Sequence, residues 1–213
     1  MKIRNIAFEF IGSATLLIGV VGSSFMASNL TADRALALLI NAAVTAATLG
    51  IIIKVGAPVS GAHFNPAVTL ANVLLRKIPI STAVQYFFSQ ICGAALGVII
   101  ANAMFSSTII GSSSINRTGS GLFIAEIVAT TGLVYLALTS TEKSVWKLIP
   151  LWIFAAYFFT SSTSFANPAV TLSRVLTDSP AGISNSSVPA FLLAQILGAL
   201  LALGFITLEK KNV

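Results

Sequence analysis

Charge is scarce in this sequence. Of 213 residues only 8% are Asp, Glu, Lys or Arg, while 56% are hydrophobic; a soluble domain carries about 25% charged residues. So few charged groups cannot cover a water-facing surface, and the natural solvent of such a chain is a bilayer. Lys and Arg number 12 against 6 acids, a net charge of +6. The basic residues stand singly or in pairs between apolar runs, not in the clustered patch nucleic acid requires, so no nucleic-acid partner is expected. A single cysteine, Cys92, excludes an intrachain disulfide and a cysteine metal cluster. In its apolar run beside Gly93 it reads as a small core hydrophobe. The single histidine, His63, has no Cys or acid near it in sequence, and no nucleotide-binding loop is present. No catalytic group, metal site or cofactor is expected, and the chain does not read as an enzyme.

What the sequence has is long apolar runs. A spanning helix needs about 20 mostly apolar residues. Six stretches qualify: 5–28, 33–54, 81–105, 120–140, 144–162 and 188–208. Turn chemistry separates them, as at Asn29–Arg34, in the Ser/Gly/Asn-rich 111–121, and at Thr141-Glu142-Lys143. The N-terminal run is expected to be the first membrane helix rather than a removed signal peptide. Two more segments, 66–76 and 168–177, have a helical pattern but at about 1.5 Å per residue cover only half the hydrocarbon thickness. Six spans put both termini on one side. Cytoplasmic termini would place Lys2, Arg4, Lys54, Arg76, Lys77, Lys143, Lys147, Lys210 and Lys211 inside and only Arg34, Arg117 and Arg174 outside, nine against three. Termini in the cytoplasm are therefore expected, in a multi-pass protein of the plasma membrane, for a bacterium the inner membrane. Trp146 and Trp152 read as an interfacial anchor and a lipid- or protein-facing ring.

The two halves repeat. The first carries Glu9, then Asn65-Pro66-Ala67-Val68-Thr69-Leu70, then Gln90-Ile91-Cys92-Gly93-Ala94. The second carries Glu126, then Asn167-Pro168-Ala169-Val170-Thr171-Leu172, then Gln195-Ile196-Leu197-Gly198-Ala199. Three spans per half is an odd number, so the repeats, 1–110 and 111–213, must be inverted within a single domain, 1–213. Inverted repeats with short helices in matching places point to a solute path near the membrane midplane. The expected fold class is thus an all-α membrane protein of six transmembrane helices and two re-entrant half-helices.

The six-residue signature explains itself chemically. Asn65 and Asn167 cap the half-helices through their side-chain oxygens, leaving the amide to donate to a passing solute. Pro66 and Pro168 suit the first helical position, where a missing N–H costs nothing. Ala67 and Ala169 are small enough for two helix ends to meet. The residues before each triplet are expected to be extended, which at membrane depth is tolerable only along a wet cavity. Both half-helices aim their positive N-termini at the centre, opposing protons and cations while admitting neutral solutes. Glu9 and Glu126 read either as proton-relay carboxylates or as acceptors for loop N–H groups. His63 reads as a backbone-fixing residue or a pH gate. Gln90 and Gln195 read as hydrogen-bonders between helices, and the Gly/Ala runs at 93–97 and 198–202 as close helix contacts.

Together these residues resemble the aquaporin and aquaglyceroporin family, the major intrinsic proteins, over essentially the whole chain. The resemblance implies passive flow of small neutral solutes and water down their gradients, and homotetramers with one pore per subunit. It also exposes a departure: the family usually follows the second triplet with Arg, where this chain has Val170. Counting back from the two Asn residues, the remaining selectivity-filter positions would be Thr45, Ala155 and Ser164. Such a filter is small-sided, wide and uncharged, and favours glycerol, related trioses or neutral metalloid acids. Arg174, four residues beyond Val170, either lends positive potential to the outer vestibule or pairs with Asp178. The alternatives are a strict water channel, an ion-coupled secondary transporter and a non-conducting scaffold.

Overall fold

The computed structural model describes residues 3–211 and is built from eight α-helices: α1 (Ile3–Leu30), α2 (Arg34–Ser60), α3 (Pro66–Leu74), α4 (Ile80–Met104), α5 (Ser120–Thr139), α6 (Val145–Phe159), α7 (Pro168–Ser173) and α8 (Val188–Lys211). Lys2 lies outside the described residues, as do the side chains of Lys210 and Lys211. Five helices, α1, α2, α4, α5 and α8, are long and apolar enough to cross a membrane. The sixth, α6, is apolar but has 15 residues, about 22 Å of helix. It is shorter than the expected 144–162 because residues from Thr160 onward leave the helix and lead toward the second half-helix.

Local chemistry sets the ends. Asp33 caps α2, accepting from the N–H groups of Ala35 (2.8 Å) and Leu36 (2.9 Å). The helix runs on past residue 54, through Pro58, and stops at Gly61, whose φ of +88° is the left-handed conformation glycine adopts freely. Asn65 and Asn167 cap α3 and α7, each with Pro in the first turn. A turn of 3-10 helix, Arg174–Leu176, extends α7.

The helices pack by close approach. Gly93 and Gly97, one turn apart on α4, face α1 so tightly that a Cβ on either would collide with the carbonyl oxygen of Phe10 or Ala14. Small residues at such crossings let backbones meet where lipid offers no hydrophobic drive for association. In matching fashion α1 packs on α2 and α4, and α5 on α6 and α8. Each half-helix packs against the last helix of both repeats, α3 on α4 and α8, α7 on α8 and α4. Large apolar side chains such as Ile51, Phe88, Leu151 and Phe205 point outward, the polarity of a surface made for lipid. Cys92 lies on that exposed surface, not in the core as its apolar neighbours implied. Trp152 packs inward: Nε1 donates to the Ala129 carbonyl (2.9 Å) and its ring abuts Gly132. Trp146 lies between Lys54 and Lys147, each ammonium 5.1 Å from the ring centroid.

Candidate functional site

The two half-helices meet through their caps. Asn65 Oδ1 accepts from the Ala67 N–H (2.8 Å), and Asn167 Oδ1 from the Ala169 N–H (2.9 Å). The amide of Asn65 donates to the carbonyl of Ala166, and that of Asn167 to the carbonyl of Phe64, both at 2.8 Å. Each cap therefore holds the loop that precedes the other. One amide hydrogen of each Asn is spent on this cross-link, which leaves the second for the cavity that both side chains line.

The loops before the triplets are not extended. Ala62 (φ 52°) and Phe64 (φ 47°) in the first, and Ser164 (φ 52°) and Ala166 (φ 48°) in the second, adopt the left-handed conformation at identical offsets from the Asn. For residues with a Cβ this costs on the order of 1–2 kcal/mol each. Buried carboxylates offset it. Glu9 accepts from the N–H of His63 (3.0 Å) and Phe64 (2.7 Å) and from the Ser60 hydroxyl (2.6 Å). Glu126 accepts from the N–H of Phe165 (2.8 Å) and Ala166 (2.9 Å). Orphaning a buried N–H costs about 1–3 kcal/mol, the same scale as the strain, so each loop needs its acid. Gln90 Nε2 bridges Glu9 (2.8 Å) and Thr69 (3.0 Å), and Gln195 Nε2 bridges Glu126 (2.7 Å) and Thr171 (2.8 Å). His63 is tied to the first half-helix, Nδ1 lying 3.0 Å from the Thr69 hydroxyl.

A cavity of about 260 Å³ runs past the Asn pair. One part of its wall is polar, formed by Thr45, His63, Asn65, Tyr157, Ser164 and Asn167. The rest is apolar, formed by Leu16, Val20, Leu49, Ile53, Leu133 and Ile149. Of the four positions counted from the sequence, Thr45, Ser164 and Val170 line this cavity. Ala155 does not; it is exposed on the outside of α6. The lumen stripe of α6 is Val145, Ile149, Ile153 and Tyr157, spaced by four, and Ala155 sits about 200° around the helix from Tyr157. Tyr157 thus brings an aromatic ring and a hydroxyl where a methyl group was expected, and its oxygen lies 3.1 Å from that of Thr45.

Arg174 is 3% exposed and lines both this cavity and a second of about 350 Å³ beyond it. Its guanidinium carbon lies 3.5 Å from the Phe165 ring centroid, and Nε donates to the Ala181 carbonyl. Asp178 instead accepts from the Ser114 N–H and hydroxyl, each at 3.1 Å. The cavity wall that Val170 leaves uncharged therefore receives a charge from one helical turn further on. Arg117, which the sequence marked only as a basic residue in a loop, lines the second cavity and donates to the carbonyls of Gly182 (2.8 Å) and Pro180 (2.9 Å).

The chain matches the family model for major intrinsic proteins over residues 1–166. It is 41% identical over 203 residues to the aquaglyceroporin AqpS of Rhizobium meliloti (strain 1021), covering 94% of this chain and 87% of that protein. To aquaporin NIP6-1 of Arabidopsis thaliana it is 27% identical, over 97% of this chain and 69% of that one. Its fold is similar to the X-ray structure of the aquaglyceroporin from Plasmodium falciparum, with a TM-score of 0.76 at 19% identity, over 95% of this chain and 94% of that one. Capped half-helices meeting over a polar-and-apolar cavity, inside a shell of apolar helices, agree with these similarities: the chain belongs to the major intrinsic protein family and is a membrane channel of the aquaporin and aquaglyceroporin type.

Proposed function

We propose that the channel passes small polyols of about three carbons, with glycerol as the type solute and water alongside it. The observation that carries this reading is the mixed polar and apolar lining of the cavity. A file of water molecules gains nothing from Leu16, Leu49 and Leu133. A polyol lays its C–H edge on them and turns its hydroxyls to Asn65, Asn167, Thr45 and Tyr157. The aquaglyceroporin named among the relatives supports the same solute class. The pore signature is Asn65-Pro66-Ala67 with Asn167-Pro168-Ala169. Its selectivity ring is Thr45, Tyr157, Ser164 and Val170, with Arg174 guarding the vestibule side. Glu9, Glu126 and His63 support the pore loops. Cations are repelled by Arg174 and by the two half-helix N-termini.

Tyr157 and Arg174, both lining the cavity, favour a second reading, a narrower channel that passes water alone. Stopped-flow light scattering of proteoliposomes separates the two. Polyol passage requires glycerol efflux well above that of empty vesicles, and water flux without glycerol flux would establish the narrow channel instead.

The charge bias of nine Lys and Arg against three supports cytoplasmic termini, in a bacterial inner membrane. The exposed apolar flanks are compatible with the homotetramer that the family resemblance implies. Native mass spectrometry of the detergent-extracted protein checks that assembly.

A further inference from the structure

The mouth formed by residues 31–38, 117 and 180–181 is lined by Arg34, Arg117 and Arg174 and by no acid. The acids nearest in sequence are engaged elsewhere, Asp33 as the cap of α2 and Asp178 on Ser114. Arg117 and Arg174 converge on one ring, their guanidinium carbons 5.1 and 3.5 Å from the centroid of Phe165. Arg174 is fixed from two sides: Nε donates to Ala181, and its carbonyl accepts from the Ile183 N–H (3.3 Å). Its two terminal nitrogens make no hydrogen bond among the described residues, although the side chain is 97% buried and faces both cavities. A buried guanidinium with an open fork matches the two oxygens of a carboxylate or sulfonate.

We propose that this mouth is a binding site for a small monovalent oxyanion, gripped by Arg174 and Arg117, that closes the pore while bound. The inference rests on the polyol-channel reading for the closing, though not for the binding. Arginine favours the charged form of the ligand, and the apolar wall beyond it (Leu16, Val20, Leu49) cannot take an unsolvated charge. The anion therefore stops at Arg174, in the path of neutral solutes.

The test uses methanesulfonate, which stays ionised and offers forked oxygens, exchanged for chloride at constant ionic strength on both sides of zwitterionic proteoliposomes. Two or three charge-assisted hydrogen bonds make a millimolar site, so glycerol flux should fall at least about twofold at roughly 100 mM methanesulfonate and saturate. Arg174→Lys keeps the charge and loses the fork, and Arg117→Gln removes the neighbouring cation. Each should weaken the inhibition, measured against the variant's own flux in chloride. Equal flux in the two salts for the native protein, or unchanged inhibition in both variants, overturns the proposal. Should no glycerol pass even in chloride, it is the polyol reading that fails. Binding is then read from the denaturation midpoint in detergent, which methanesulfonate should raise in the native protein more than in Arg174→Lys; no rise overturns the site itself.

Discussion

The hydroxyl oxygens of Thr45 and Tyr157 lie 3.1 Å apart, joining α2 to α6 at the cavity wall across 112 residues of sequence. Tyr157 therefore borders the cavity from α6, and Ala155 does not. Tyr157→Ala should raise the ratio of glycerol to water flux by at least about threefold, the scale of one lost pocket contact. Ala155→Leu should leave the ratio unchanged, because that side chain points outward. Stopped-flow permeabilities of both variants check the assignment.

Val170 offers the complementary test. An Arg there would stand four residues, one helical turn, before Arg174 and add bulk and a second charge to the same wall. Val170→Arg should suppress glycerol passage by at least about tenfold while some water flow remains, provided the new guanidinium finds loop carbonyls. Undiminished glycerol flux at equal membrane abundance would show that Val170 does not border the narrow part of the path.

Asn65 and Asn167 combine two roles that substitution separates. Ala at either position loses the cap, costing about 0.5–2 kcal/mol, and also the cross-link to the opposite loop. Ser preserves a capping oxygen but has no amide to donate. Asn167→Ser, which keeps the cap and loses the cross-link, should unfold between the native protein and Asn167→Ala, and both should carry reduced glycerol flux. Denaturation monitored by circular dichroism, paired with flux per reconstituted protein, reads the difference.

Glu126 is surrounded by donors: two loop N–H groups and the Gln195 amide. In Glu126→Gln one acceptor becomes NH₂ and faces a donor whichever way it turns. At least one buried N–H is then orphaned, at about 1–3 kcal/mol. The expected outcome is a lowered denaturation midpoint, with a similar loss for Glu9→Gln. A relay carboxylate would behave otherwise: native stability with an altered pH dependence of flux.

Orientation is open to direct labelling. Thr118 is exposed in the loop between α4 and α5, whereas nearby Ser113 is buried and would report poorly. With the exposed Cys92 replaced by Ser, Thr118→Cys should react with an impermeant thiol reagent in intact cells. Reaction only after lysis would reverse the topology.

Much of this protein follows from short-range chemistry, which one strand of sequence can carry. Apolar runs of membrane length, Asn-Pro at two helix starts, and an acid and a Gln at matching offsets define the half-helices, the repeat and the class of channel. Helix periodicity was legible too: the spacing of Val145, Ile149, Ile153 and Tyr157 marks the lumen side of α6, and a count of residues between motifs was the wrong ruler for it. Other features depend on where distant segments come to rest. Nothing near Arg174 in sequence says that Phe165 would lie beneath its guanidinium, or that Ala181 and Ile183 would fix it at the junction of two cavities. The left-handed residues Phe64 and Ala166 are disfavoured locally and held by carboxylates 55 and 40 residues away. Sequence settles what each segment prefers on its own. Only tertiary packing decides which preferences are overruled, because buried N–H groups and an aromatic face exert their energies at contact distance, and contact is made by the fold.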